Sequence, residues 1–119
     1  MNSILTSIKM LLGITEECED FDLQIIMHIN SVFMILTQLG VGPEKGFTIS
    51  DKVAIWSDFI EDTTKVEALK TYIYLRVKLM FDPPLNSSVT ESINRTISEL
   101  EWRLNIASDS KEEEVIQNE

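Results

Sequence analysis

Residues 22–39 contain no proline or glycine, and apolar side chains fall almost all the way round any helix they form. Ile25, Ile29, Val32, Leu36 and Leu39 make one stripe at the 3.6-residue period. Ile26, Met27, Phe33 and Met34 widen it, so that Gln24, His28, Ser31 and Gln38 leave only a narrow polar edge. Such a helix has to be covered. In a small domain it either lies at the centre of a bundle or turns part of its surface to another subunit.

The neighbouring segments supply a bundle. Ile4, Leu5, Ile8, Leu11 and Leu12 predict a helix over residues 3–12, ended by Gly13 as a left-handed cap. Residues 16–22 read as an acidic connector, with Asp20 or Asp22 placed to cap the long helix. A third helix spans residues 63–81, with Val66, Leu69, Ile73, Val77 and Met80 on one face, and Asp82-Pro83-Pro84 stops it. A fourth begins near Ser88, where Ser88-Val89-Thr90-Glu91 has capping-box spacing. Its inward stripe is Val89, Ile93, Ile97, Leu100 and Leu104, with Trp102 and Ile106 off it. Expected core residues are Ile29, Val32, Leu36, Leu69, Ile73, Val77, Ile93, Ile97 and Leu100. The fold class is therefore all-α: a small bundle of about four main helices over residues 1–107, with a disordered acidic tail over residues 108–119.

Residues 41–62 are the least regular. Phe47-Thr48-Ile49 alternates briefly, and Ser50-Asp51 is placed to cap a short turn reaching Phe59. The segment is too short for a sheet of its own and reads as a protruding loop. Loops often carry contacts, so Phe47, Ile49, Trp56 and Phe59 are candidate partner-contact residues. Trp102, off its helix's stripe, joins them. So do Arg76 and Lys78, basic positions on a chain whose net charge is −10.

That charge argues against gripping nucleic acid, which needs clustered Lys and Arg. The tail alone carries −4 of it, and solubility is one sufficient reason for such a tail. A single cysteine, Cys18, and a single histidine, His28, leave no intrachain disulfide and no His/Cys metal cluster. The cysteine usage fits a reducing compartment. No phosphate loop, nucleophile elbow or metal-binding helix motif occurs, and the carboxylates of residues 16–22 lack calcium-loop spacing. The sequence predicts no catalytic, cofactor-binding or metal residues. It also has no apolar run long enough for a membrane span.

One run of residues carries more. Thr71-Tyr72-Ile73-Tyr74-Leu75-Arg76-Val77-Lys78-Leu79-Met80-Phe81-Asp82-Pro83-Pro84 is followed by Ile93-Asn94-Arg95 and Glu99-Leu100-Glu101-Trp102-Arg103-Leu104. Together they resemble the head–tail connector, or head-completion, proteins of tailed phages and prophages of Gram-positive bacteria, over roughly residues 2–106. The resemblance implies a non-enzymatic virion protein at the head–tail junction, made in the bacterial host cytoplasm. It implies a ring of identical subunits below the portal protein, which completes the DNA-filled head. A downstream connector or tail-completion protein would bind that ring, while DNA passes through the channel without specific binding. Two other readings stay open. An acidic DNA mimic would also be small and negative, and a helical inhibitor or regulator would also use a partner-binding tail.

Overall fold

The long apolar helix lies at the centre. In a computed structural model that describes residues 3–117, and side chains through residue 106, five helices follow in order. They are α1 (Ile4–Leu11), α2 (Asp22–Gln38), α3 (Trp56–Phe59), α4 (Thr63–Phe81) and α5 (Ser87–Gln117). No strand forms among the described residues; the one extended pairing is an isolated antiparallel bridge between Ser3 and Ile55. No helix among them is long and apolar enough to cross a membrane. The stretch expected as a disordered acidic tail from residue 108 continues in the backbone as α5 to Gln117, and its side chains lie outside the described residues.

Helix α2 packs on α1 and α4, and α4 also packs on α1 and α5. The heptad-like set Ile25, Ile29, Val32, Phe33 and Leu36 is wholly removed from solvent and meets Leu69, Tyr72, Ile73 and Val77 of α4 in one core. Ile4 and Ile8 close that core from α1, and Ile97 and Leu104 from α5. Ile93 and Leu100, expected inside, are half-buried at its edge. The opposite face of α2 is left bare: Leu23, Met27 and Met34 are 80%, 70% and 65% exposed.

The chain passes from α1 to α2 around one ammonium group. Lys9 is 2% exposed, yet its Nζ donates to the carbonyls of Glu16 (3.0 Å) and Cys18 (2.7 Å) and sits 2.9 Å from Asp22 Oδ1. A buried charge is tolerable only when paired and hydrogen-bonded, and here the acidic connector wraps it from three sides. This revises the expected cap of α2. Phe21 is the N-cap and makes no side-chain bond, because Asp22 faces Lys9 and Asp20 stays exposed. The end of α1 is as expected: Gly13 takes φ +83°, Gly13 N–H donates to Met10 O, and Ile14 N–H to Lys9 O. That is the two-bond glycine cap.

Residues 41–62 pack against the bundle, with the side chains expected to reach a neighbour turned inward. Ile49, Trp56 and Phe59 are 4%, 4% and 3% exposed, and Phe47 is half-buried. Two devices fold the segment down. The Asn30 side chain grips the backbone of Ile49 both ways, donating to its carbonyl (2.9 Å) and accepting from its N–H (2.8 Å). Phe47 and Phe59 stack with Phe33 of α2 at ring-centre distances of 4.7–5.3 Å, within the range of favourable aromatic pairs. Trp56 Nε1–H donates to Ser7 Oγ (3.1 Å), and Ile4 N–H to Ala54 O (3.0 Å), which ties α3 to α1. The local sequence hid this because each anchor comes from a distant helix.

The starts of α4 and α5 are capped by side chains. Asp62 accepts from Thr64 N–H (3.0 Å), and Asn86 accepts from Ser88 N–H (2.8 Å). The expected box beginning at Ser88 is displaced by two residues, since Asn86 is free to cap once Pro84 has ended the turn.

Two stability outcomes follow. Lys9→Ala leaves Asp22 and two carbonyls without their cation and should cost about 3 kcal/mol, whereas exposed Lys52→Ala should be neutral in the same thermal melts. Gly42→Ala should cost about 1–3 kcal/mol by chemical denaturation. Gly42 sits at φ +87°, and a Cβ there would come within 2.5 Å of the Phe59 ring.

Candidate functional site

The face where α4 meets α5 holds the most concentrated polar chemistry. Tyr72 and Arg76 lie one turn apart on α4, so their side chains share a face. Glu101 reaches them from α5 because it follows Ile97 by one turn and flanks the inward stripe. Tyr72 Oη–H donates to Glu101 Oε2 (2.6 Å), Arg76 Nη2 donates to the same oxygen (2.6 Å), and Arg76 Nε donates to Tyr72 Oη (2.8 Å). The guanidinium also stands 5.5 Å from the Tyr72 ring centre.

The charges tune one another. Burial pushes the Tyr72 hydroxyl well above its ordinary value, and the hydrogen bond to Glu101 adds to it. Burial alone would raise the Glu101 carboxyl, but the hydrogen bonds from Tyr72 and Arg76 outweigh it and hold that group below its usual range. Burial likewise opposes the Arg76 charge, and the bonds to Glu101 and Tyr72 more than offset it. The arrangement is a docking latch. Arg76 is engaged within the subunit by both partners.

The other candidate contact residues separate into two groups. Phe47, Ile49, Trp56 and Phe59 belong to the interior just described. Lys78 and Trp102 lie outward: Lys78 pairs with Asp82 one turn on (3.2 Å), and Trp102 is 66% exposed. Ile106, one turn after Trp102, is 42% exposed, and the flank carries the Glu99–Arg103 pair at 2.7 Å. Cys18 is half-buried with its carbonyl on Lys9, and His28 packs its ring against Phe81 at 6.4 Å. Among the described residues, no group of three or more His, Cys, Asp or Glu could hold a metal ion.

The apolar circumference of α2 left open in the sequence that part of this helix is uncovered, but did not name Leu23, Met27 and Met34 as the residues of its bare face. Beside that face is a groove of about 370 Å³, walled by Met34 and Thr37 of α2 and by Lys45 and Phe47 of the following segment. The surface thus offers exposed Leu23, Met27 and Met34 on α2 and Trp102 with Ile106 on α5.

The subunit is helical, leaves apolar surface exposed on α2 and α5, and spends its Tyr72–Arg76–Glu101 cluster on internal docking. The chain belongs to the phage connector protein family, whose model matches residues 4–111. No curated protein and no solved structure matched it. The match takes in all of α1 through α4 and most of α5, so the latch and the bare face both fall within the family domain.

The latch has a pH signature. A carboxyl held low in the folded state stabilises it fully above the unfolded-state value, near 4.5, and loses that contribution as pH falls through the folded value. Glu101→Gln should therefore lower the melting temperature at pH 7, and the gap to the unaltered protein should narrow steadily below pH 4.5. A pH-independent gap would remove the ionic component of the latch.

Proposed function

We propose that this protein is a structural subunit of the head–tail connector in a phage or prophage of a Gram-positive bacterium. It assembles as a ring below the portal protein, completes the DNA-filled head and forms the platform to which the next connector or the tail attaches. Membership of the connector family across residues 4–111 carries this reading. Two features support it. The bare face of α2 and the exposed Trp102 are different surfaces of one chain, as head-to-tail contacts around a closed ring require. A net charge of −10 would also let packaged DNA slide past a channel wall without adhering.

Among the basic positions, Lys78 is the one to probe for neighbour contacts. Its only pairing among the described residues is the exposed one with Asp82, so charge reversal there leaves the core intact. Arg76 is unsuitable, because its reversal would place two carboxylates together in the latch.

The decisive experiment is deletion of the gene from the phage. Filled heads and free tails that fail to join are expected, with heads leaking DNA, because portal assembly and packaging precede connector addition. Lys78→Glu should give the same particles in milder form while the purified variant melts normally. Infectious, tail-bearing particles from the deletion lysate would end the connector reading and favour an acidic inhibitor.

A further inference from the structure

We infer that free subunits pair two-fold through the bare face of α2, laid antiparallel against the same face of a second copy. This goes beyond the connector reading and does not depend on it; a ring contact through this face would have to displace the pair.

The exposed side chains of α2 form a seam. Gln24, Met27, Ser31, Met34 and Gln38 are all exposed, and they recur at alternating intervals of three and four residues. That is the pattern along which two helices pack side by side. Leu23, Met27 and Met34 supply its apolar surface. Methionine adapts its shape to what it meets, which suits a contact made with a copy of itself. Ser31 stands midway along the seam, where a small side chain allows close approach. Its hydroxyl already donates to Met27 O (3.0 Å), so covering it leaves no donor unpaired.

Charge selects the occupant. The chain carries −10, so two copies repel wherever acidic surfaces face each other. Residues 23–43 contain no Asp, Glu, Lys or Arg, so this face has no carboxylate to hold a basic partner. A second copy meets an uncharged strip here. Charges stand at its two ends, and they are opposite. Asp20 is exposed just before the start of α2, and Lys45 lines the groove at the other end with Met34 and Gln38. Neither forms an ion pair among the described residues, and Glu44 does not line the groove.

These ends fix the orientation. A parallel pairing would set like ends together. In an antiparallel pairing centred near Ser31, Met27 faces the partner's Met34, and each Lys45 comes to the acidic end of the other α2. The helix dipoles are opposed in the same arrangement. A two-fold contact closes at two copies, so free subunits cannot grow into open chains through this face.

Sedimentation velocity on the full chain, at a few hundred micromolar, tests the pair. The unaltered protein should form a dimer and nothing larger. Met34→Asp should weaken that dimer about tenfold or more, because pairing buries the new carboxylate without a partner. Met34 is exposed in the single subunit, so melts in dilute solution should match the parent; Met27→Asp replaces this variant should it fail to fold. Lys45→Glu and Asp20→Lys should each weaken pairing about two- to fivefold, as exposed ion pairs do. The double variant keeps the parent's net charge and should recover the dimer. Ser31→Cys in a Cys18→Ser background should give a disulfide-linked dimer on mild oxidation, since the two-fold sets position 31 near itself. A monomeric parent would leave the face to a partner of different sequence and overturn the pair. Assemblies larger than two, a Met34→Asp protein that pairs like the parent, a double variant no better than the singles, or no linked dimer would each overturn it as well. None of these bears on the deletion phenotype, which judges the connector reading separately.

Discussion

A single buried ammonium group sets the path of the first third of the chain. Lys9 comes from the last turn of α1, where a cation also suits the helix's negative end. Because it cannot reach water, the next residues must bring oxygens to it, and Glu16, Cys18 and Asp22 do so. The direction in which α2 leaves is thereby fixed, and α2 is the helix on which α1, α4 and the 41–62 segment all rest. An apolar residue at position 9 would fill the space but would give the connector no reason to wrap around it. The hydrophobic effect rewards burial without direction; this charge supplies direction.

The same division of labour recurs between α4 and α5. Apolar contact along Ile97, Leu100 and Leu104 favours association of the two helices at several rotations and offsets. The Tyr72–Arg76–Glu101 cluster accepts only one, since both donors must converge on one carboxylate oxygen. Helix α5, about 46 Å long at the usual rise, accordingly has a defined exit direction from the bundle. In the proposed ring this would matter, because a small error in the angle of a long arm grows along its length.

Much of the fold was legible in the sequence, for a simple reason. Helix periodicity is local, so the stripes of α2, α4 and the first part of α5 stand out, and Gly13 and the Asp82-Pro83-Pro84 stop mark boundaries within a residue or two. The segment over residues 41–62 was not legible in the same way. Its aromatic residues look surplus locally, yet Phe33, Asn30 and Ser7, all far away in sequence, claim them. The contact surface inverted accordingly. Phe47, Ile49, Trp56 and Phe59 turned inward, and Leu23, Met27 and Met34 of the apolar helix α2 were left outside. Arg76 was noticed as a cation on an acidic chain, but its partner Glu101 lies across a turn and a helix. Only the three-dimensional pairing of α4 with α5 joins them.

The two tryptophans stand in opposite surroundings: Trp56 at 4% exposure, bonded to Ser7 and capped by the Lys70 ammonium 5.7 Å from its ring centre, and Trp102 in open solvent. The chain therefore carries two intrinsic optical probes that report on different events. A neutral collisional quencher such as acrylamide, which the negative surface does not repel, would extinguish the red-edge emission of Trp102 first and leave the blue emission of Trp56. Loss of that protected fraction marks opening of the α1–α3 junction, and gain of a second protected fraction marks a surface being covered. Unfolding and assembly can thus be followed in one cuvette, without a label and without altering a residue.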